Sequence, residues 1–179
     1  LDIAIEMSLN VIGYLDDNEK DSFRGLPWLG IIDSIFKISD FELKPKLILG
    51  IGFLSNLKKR DQIYLKARQH FEFVNLIHPK SIIERTAIID NNSGMQIMAG
   101  AIIGTEVSLG PNTIVNSGAI ISHHSKIGRT CHITPGACLA GNVVVGDRAT
   151  IGMNSSIFLG VNIPSDTIVQ NLSRVDEDL

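Results

Sequence analysis

Charge is scarce over a long central part of this sequence. Between Ile97 and Gln170 only six residues are charged: Glu106, Lys126, Arg129, Asp147, Arg148 and Asp166. A protein surface with so few charges is usually covered by another chain, so we expect a homo-oligomer, most simply a homotrimer about a three-fold axis. The net charge of −3 argues against a nucleic-acid-binding protein, which needs a clustered basic surface.

Long apolar runs and cysteines are scarce as well. No apolar run approaches the ~20 residues of a membrane-spanning helix, so we expect no membrane span. The two cysteines, Cys131 and Cys138, lie seven residues apart and form no CxxC pair. We therefore expect them to be reduced packing residues of a cytoplasmic protein rather than a metal-binding pair.

The same central stretch contains a strict repeat. An aliphatic residue returns at every sixth position, thirteen times in succession: Ile97, Ile103, Leu109, Val115, Ile121, Ile127, Ile133, Leu139, Val145, Ile151, Ile157, Ile163 and Val169. Four residues after each of the first twelve comes a small or slender side chain, from Ala101 to Thr167. A period of six fits neither an amphipathic helix nor an isolated strand. It is typical of a hexapeptide β-helix, in which each unit forms one short strand and one corner.

The geometry of such a helix explains both columns. Three strands and three corners close one triangular turn of eighteen residues, and successive turns stack at the strand spacing of ~4.8 Å. The aliphatic side chain fills the interior, while the second inward position lies near a corner and admits only a small residue. Ile77, Ile83 and Ile89 already keep the six-residue step, and the longer step to Ile97 places a polar loop at residues 91–94.

The first 78 residues have a different pattern. Apolar strands are predicted at residues 11–15, 46–52 and 73–77, with helices at residues 1–9 and 57–71. Alternating strands and helices predict a small parallel α/β domain. Because such a domain opens with a strand and a glycine turn before its first helix, we expect this first strand to be missing from the chain.

Reactive side chains are rare in the repeat, so its histidines stand out. His123 and His124 lie together at a predicted corner, and His132 follows His123 by nine residues, half of a turn. Within one chain His123 and His132 should therefore face different sides, and they can line one cleft only if neighbouring subunits supply them. His123 and His124 are the candidate catalytic residues, since a neutral imidazole there could take a proton from an amine or a hydroxyl group. The alternative is that these are solvated corner histidines.

A second group of candidate residues lies in the α/β segment. Asp16 and Asp17 end the first predicted strand, and Gly52 ends the second. At this place in α/β sheets an acid often accepts hydrogen bonds from the sugar of a nucleotide, and a glycine lets a ligand approach the backbone. An acidic pair after a strand is also common in ordinary turns.

Taken together, these segments resemble the bacterial sugar acyltransferases. That family is typified by sialic acid O-acetyltransferases and by N-acetyltransferases of nucleotide-linked 4-amino-sugars, including the bacillosamine-pathway enzyme. The resemblance covers nearly the whole chain and rests on VIGYLDDN at 11–18, GLPWLG at 25–30, LGIG at 49–52, VNLIHP at 74–79 and, above all, the block at 115–157. It implies acetyl-CoA as the donor and a trimer of left-handed β-helices, each preceded by a Rossmann-like acceptor-binding domain. We accordingly expect an acceptor domain at 1–78, the β-helix at 79–171 and a mobile tail at 172–179.

The resemblance also implies roles for individual residues. His123 matches the general base of a direct acetyl transfer, and His132 matches a residue that hydrogen-bonds the donor. The other matched positions contact the donor (Met153, Asn171) or the acceptor (Asp16, Asp17, Gly52). His124 stands where the family usually has Asp or Glu, whose charge raises the basicity of the histidine. The resemblance therefore leaves His123 either as a weaker base or as a base oriented by another group.

The sequence is compatible with several functions. Left-handed hexapeptide proteins include zinc carbonic anhydrases with an HxxxxH pair and a third ligand, but here the histidines are adjacent and then eight residues apart, so we expect no metal. The leading interpretation is an acetyl-CoA-dependent N-acetyltransferase acting on a nucleotide-linked 4-amino-deoxysugar for bacterial surface glycans. The alternatives are an O-acetyltransferase of a sialic-acid-like sugar and a non-catalytic scaffold with the same fold.

Overall fold

The computed structural model describes residues 1–18, 22–37, 45–52 and 57–179. The first part contains helix α1 (Asp2–Glu6), an antiparallel pair β1 (Ser22–Phe23) and β2 (Leu26–Pro27), a 3-10 helix (Ile32–Lys37) and helix α2 (Leu57–Ala67). The second part consists of two-residue strands: β3 (Leu76–Ile77), β4 (Ile82–Ile83), β5 (Ile88–Ile89), β6 (Gln96–Ile97), β7 (Ile102–Ile103), β8 (Ser108–Leu109), β9 (Ile114–Val115), β10 (Ile120–Ile121), β11 (Lys126–Ile127), β12 (His132–Ile133), β13 (Cys138–Leu139), β14 (Val144–Val145), β15 (Thr150–Ile151), β16 (Ser156–Ile157), β17 (Asn162–Ile163), β18 (Ile168–Val169) and β19 (Arg174–Val175).

These short strands form a parallel β-solenoid. Each pairs with the strand three places further along the chain, which gives three sheets and about six turns. Sheet 1 contains β3, β6, β9, β12, β15 and β18; sheet 2 contains β4, β7, β10, β13, β16 and β19; sheet 3 contains β5, β8, β11, β14 and β17. Ile121 pairs with Leu139, so one turn takes eighteen residues. The predicted β-helix is confirmed.

The core of the solenoid is made by the two inward columns of the repeat. All thirteen aliphatic side chains of the six-residue step are at most 4% exposed. Burying one such side chain contributes about 1.5–3 kcal/mol, so this stack is the main source of stability. Cys131 occupies the small-residue column at 0% exposure, and burial raises the pKa of its thiol to about 12, whereas Cys138 is exposed.

The corners adopt left-handed backbone conformations at matching places in successive turns. Glu106, His124 and Asn142 follow one another at eighteen-residue intervals, with φ values of 56°, 61° and 58°. Backbone hydrogen bonds join these turns, since the His124 N–H donates to the Thr105 carbonyl at 2.9 Å and the Asn142 N–H donates to the His123 carbonyl at 2.9 Å. The backbone of this corner is therefore fixed on both sides.

The first turn is longer than the others. Ile77 pairs with Ile97, so twenty residues separate equivalent positions instead of eighteen. The extra residues fall in the polar loop at 91–94, which is confirmed, and Asn92 and Gly94 there have positive φ. A Cβ atom on Gly94 would lie 3.0 Å from the Phe73 ring, so the loop packs closely against the chain that precedes the solenoid.

The predicted α/β sheet of the first 78 residues is not confirmed in the described part of the chain. The predicted strands at 11–15 and 46–52 appear only as single parallel bridges, Tyr14 with Trp28 and Leu47 with Phe73. The predicted strand at 73–77 instead contributes β3 to the solenoid. The predicted helix at 57–71 corresponds to α2, which ends at Ala67.

In residues 49–51, side chains donate hydrogen bonds to backbone carbonyl groups that a neighbouring strand would otherwise bind. Arg60 of α2, 1% exposed, donates hydrogen bonds to the carbonyls of Leu49 at 2.9 Å and Ile51 at 2.6 Å. Gln96 of the solenoid also donates to the Leu49 carbonyl, at 2.6 Å. Residues 49–51 are thus held between α2 and sheet 1.

The last strand lies inside the segment predicted as a mobile tail. Val175 of β19 continues the inward column at 7% exposure, and Asp178 accepts hydrogen bonds from Asn162 at 2.7 and 3.1 Å. The domain boundaries at 78/79 and 171/172 stay predictions. None of the described helices is long and apolar enough to cross a membrane.

Candidate active site

The corner after β10 brings three titratable side chains into contact. His123 Nδ1 lies 3.0 Å from His124 Nδ1, and His124 Nε2 lies 3.2 Å from Glu106 Oε2. Glu106 occupies the same corner one turn earlier, eighteen residues before His124. His124 stands where an acid was expected, and an acid from the preceding turn, which was not predicted, contacts it instead. The eighteen-residue period of the repeat is the signal that could have predicted Glu106 as the neighbour of His124.

The next turn of the same corner supports the His123 ring. His123 is exposed, whereas Gly141, eighteen residues later, is buried. A Cβ atom on residue 141 would lie 2.6 Å from His123 Nε2. The imidazole therefore lies directly against the Gly141 backbone, and a larger residue there would displace it.

His132 lies on another side of the solenoid. It opens β12 of sheet 1, whereas His123 follows β10 of sheet 2, so one chain does not bring the two histidines together. His132 is only 6% exposed, and burial, with a smaller contribution from the charge of Arg60, lowers its pKa to about 4. This imidazole is neutral at neutral pH.

The hydrogen bonds of Asn116 assign the tautomer of His132. Asn116 Oδ1 accepts from the Ser117 N–H at 2.8 Å, so its amide nitrogen faces His132 Nε2 at 3.2 Å and donates to it. The ring proton is therefore on Nδ1, which is buried and finds no acceptor in the part of the chain that the structure describes.

Among the described residues, no group of three or more His, Cys, Asp or Glu could hold a metal ion.

The two residues predicted to contact the donor lie side by side. The Met153 N–H donates to Asn171 Oδ1 at 2.9 Å, across two turns of the corner between sheets 1 and 2. Met153 is 42% exposed. The His123 corner borders the opposite edge of sheet 2, so the outer face of that sheet lies between the predicted donor contacts and the predicted base.

The predicted acceptor residues gather near the start of α2. Asp17 Oδ1 accepts from the Ile32 N–H at 3.1 Å, and Asp17 Oδ2 lies 3.9 Å from Lys59 Nζ of α2. Asp16 Oδ1 accepts from the Asn18 N–H at 2.9 Å. Gly52 is exposed and faces open space, next to the carbonyl of Ile51 that Arg60 binds. Within the described residues, no hydrogen bond or ion pair joins this group to His123.

A charged cluster that the sequence analysis did not single out attaches α2 to the solenoid. Asp61 of α2, 5% exposed, accepts hydrogen bonds from Arg129 Nε at 2.8 Å, Thr130 Oγ1 at 2.7 Å and Arg148 Nη1 at 3.4 Å. Burial alone would raise the pKa of Asp61, but the hydrogen bonds and charges of these partners lower it below its usual value. Asp61 is therefore ionised and holds α2 against the corner between sheets 3 and 1.

Comparison with known proteins gives similar structures over nearly the whole chain. PerB from Caulobacter crescentus, in complex with CoA and GDP-perosamine, is 30% identical with a TM-score of 0.90, over 99% of this chain and 83% of that one. A mutant perosamine N-acetyltransferase from the same organism, also with CoA and GDP-perosamine, is 29% identical with a TM-score of 0.92, over 99% of this chain and 82% of that one.

A sequence match points in the same direction. Serine acetyltransferase from Buchnera aphidicola is 35% identical over 115 residues, which cover 63% of this chain and 41% of that protein. The chain thus spans about two fifths of the length of this curated relative. No protein-family model matches the chain.

Proposed function

Because the chain belongs to the hexapeptide-repeat sugar acyltransferases, we propose that it transfers an acetyl group from acetyl-CoA to the amino group of a nucleotide-linked 4-amino-deoxysugar. The product would serve bacterial surface glycans. One observation carries the proposal: an exposed imidazole, His123, is held at a solenoid corner by a neighbouring ring and by the Gly141 backbone. The complexes of similar structures with CoA and GDP-perosamine support the donor and the class of acceptor.

The proposed architecture has two parts. Residues 79–171 form a left-handed β-helix, and residues 1–78 form a Rossmann-like acceptor-binding domain. The parallel bridges at Tyr14 and Leu47 and the helix α2 support an α/β arrangement of the first part. Asp16, Asp17 and Gly52 would contact the nucleotide-linked acceptor, since they lie close to the start of the same helix.

In the proposed reaction His123 is the general base. The neutral imidazole removes a proton from the sugar amine while the amine nitrogen attacks the carbonyl carbon of the thioester. A carbon–nitrogen bond forms, the carbon–sulfur bond breaks, and the leaving thiolate takes a proton to give free CoA. The transfer is direct and needs no acyl-enzyme.

The donor would lie along the outer face of sheet 2. Met153 and Asn171 border one edge of this face and His123 borders the other, so a molecule that spans the face can place its thioester near the base. His132 lies on a different sheet of the same chain, and it can reach this donor only from a neighbouring subunit. We therefore propose a homotrimer with active sites between subunits.

The test is acetyl transfer by the purified protein, followed as release of the CoA thiol. We expect activity with 4-amino nucleotide sugars, and we expect His123→Ala to lower kcat by about a hundredfold or more, the usual contribution of a general base. His70→Ala removes another exposed histidine and serves as the matched control. Unchanged kcat in His123→Ala would remove His123 from the mechanism.

The acceptors offered in this assay separate the alternatives. Hydroxyl acceptors of the sialic acid type belong in the same panel, because an imidazole base at this corner could equally deprotonate a hydroxyl group. Preferential transfer to hydroxyl acceptors would show that the protein is an O-acetyltransferase rather than an N-acetyltransferase. No thiol release with any acceptor would favour the non-catalytic scaffold.

A further inference from the structure

The contact chain from Glu106 through His124 to His123 gives the base a defined protonation pattern. The three side chains come from two stacked turns of one corner, with 3.2 Å between Glu106 Oε2 and His124 Nε2 and 3.0 Å between the two Nδ1 atoms. Their backbones are held by hydrogen bonds, from the Glu106 N–H to Thr86 Oγ1 at 3.2 Å and from the His124 N–H to the Thr105 carbonyl at 2.9 Å. The order of contacts is therefore built into the solenoid.

The positions of the protons follow from what each group can donate. An ionised carboxylate only accepts hydrogen bonds, so Glu106 requires the proton of His124 to be on Nε2. In a neutral His124 the Nδ1 atom then has a free lone pair and accepts from His123. His123 must consequently carry its proton on Nδ1, which leaves its Nε2 lone pair unprotonated.

An unprotonated Nε2 is what a base at this position needs. We propose that Glu106 and His124 are positioning residues that hold His123 in the Nδ1–H tautomer, with Nε2 free to accept the proton of the acceptor amine. This assignment rests on the proposed function, in which His123 is the base. His124, which the sequence analysis grouped with the catalytic histidine, acts here through His123 rather than on the substrate.

The exposure of the Glu106 and His124 side chains indicates how strongly Glu106 affects catalysis by His123. The side chains of His124 and Glu106 are 50% and 58% exposed, so water screens the negative charge that reaches His123. The contribution of Glu106 is therefore mainly the choice of tautomer and the orientation of the ring. We expect a loss of about ten- to a hundredfold in kcat without Glu106, below the loss expected on removal of the base itself.

The first readout is independent of activity. Nitrogen-15 NMR of histidine-labelled protein at pH 8 distinguishes protonated from unprotonated ring nitrogens, and the His123 signals are assigned by their disappearance in His123→Gln. In the unsubstituted protein we expect a protonated Nδ1 and an unprotonated Nε2. In Glu106→Asn, whose amide is too short to reach His124 and which tolerates the left-handed backbone, we expect both tautomers of His123.

The second readout is steady-state kinetics of the same variants. Glu106→Asn should lower kcat by about ten- to a hundredfold and leave KM for both substrates unchanged. Adding His124→Asp to Glu106→Asn should restore part of kcat, because a carboxylate at 124 can accept directly from His123 Nδ1–H. Glu84→Gln, which removes a carboxylate near the same edge of sheet 2, is the control and should change neither the tautomer nor kcat.

The two readouts separate this inference from the proposed function. An unsubstituted protein that transfers no acetyl group overturns the proposed function, while the NMR comparison still decides the tautomer. A Glu106→Asn protein with the unchanged His123 tautomer and unchanged kcat overturns the positioning role, whatever the acceptor proves to be.

Discussion

The buried imidazole of His132 makes the stability of the protein depend on pH. Its pKa is lowered to about 4 by burial and by the charge of Arg60, against 6.5 for an ordinary histidine. Between these two values the unfolded chain binds a proton that the folded chain does not bind. With respect to His132, the protein therefore keeps its full free energy of unfolding above pH 6.5. Below that pH, proton binding by His132 in the unfolded chain lowers the free energy of unfolding progressively towards pH 4.

Replacing His132 by glutamine should remove this pH dependence. A pKa difference of this size corresponds to about 3 kcal/mol. In urea unfolding at pH 7.5 and pH 4.5, we expect the unsubstituted protein to lose more stability than His132→Gln, by up to that amount. All other titratable groups are the same in both proteins, so their contribution cancels in this comparison. His70→Gln should behave as the unsubstituted protein, and an equal pH response in His132→Gln would contradict the prediction.

The sequence predicts some residues of the site better than others, for a geometric reason. Rarity within a repeat is visible directly, so His123 and His124 stand out. The contact with Glu106 crosses between turns and becomes visible only when the eighteen-residue period is applied to side chains. The burial of His132 could not be predicted, because Arg60 and residues 49–51 beside that face come from a segment without a repeat.

At the scale of elements, hydrogen bonds and ion pairs of its side chains fix the placement of helix α2. Its buried residue Arg60 holds residues 49–51, and its Asp61 binds Arg129, Thr130 and Arg148 on the solenoid. The proposed acceptor residue Asp17 meets Lys59 of the same helix. The position of the proposed acceptor domain relative to the solenoid therefore depends on α2.

Removal of the Asp61 carboxylate should loosen this attachment. Breaking a buried ion pair costs about 3–5 kcal/mol, and we expect about 2 kcal/mol for Asp61→Ala because its arginine partners are partly exposed and keep other acids. Lys58→Ala, which removes only the exposed contact with Asp166 at 3.8 Å, should change stability by less than about 0.5 kcal/mol. Urea unfolding measures both, and equal effects of the two substitutions would contradict the anchoring role.

Element prediction from the sequence succeeds where every turn repeats the same constraint. In the solenoid one buried aliphatic side chain defines each strand, and the equivalent residue in the next turn defines the register of the pairing. In residues 1–78 the apolar runs also suggest strands, but side chains of Arg60 and Gln96 bind the carbonyls of residues 49–51. Tertiary hydrogen bonds of this kind leave no periodic signal.

At the scale of the whole molecule, four of the six charges between Ile97 and Gln170 lie on one side of the solenoid. Arg129, Asp147, Arg148 and Asp166 form one network of ion pairs, which Asp61 and Lys58 of α2 join. The outward positions of sheet 2 include the exposed apolar side chains of Ile82, at 55%, and Ile120, at 36% exposure, with the charged Arg174 on its last strand. Such a face supports the proposal that subunits pack side by side, with His123 at its edge.

A charge placed on this face should separate the subunits. Sedimentation equilibrium of the unsubstituted protein should give three times the 19.5 kDa mass of one chain. We expect Ile120→Glu to shift the mass towards one chain while the circular dichroism spectrum stays that of a folded β-solenoid, since the side chain points out of the core. Acetyl transfer should fall with the trimer, because each proposed active site lies between subunits. Lys80→Glu, an exposed change outside the three sheets, should leave the mass unchanged, and a monomeric unsubstituted protein would refute the shared active site.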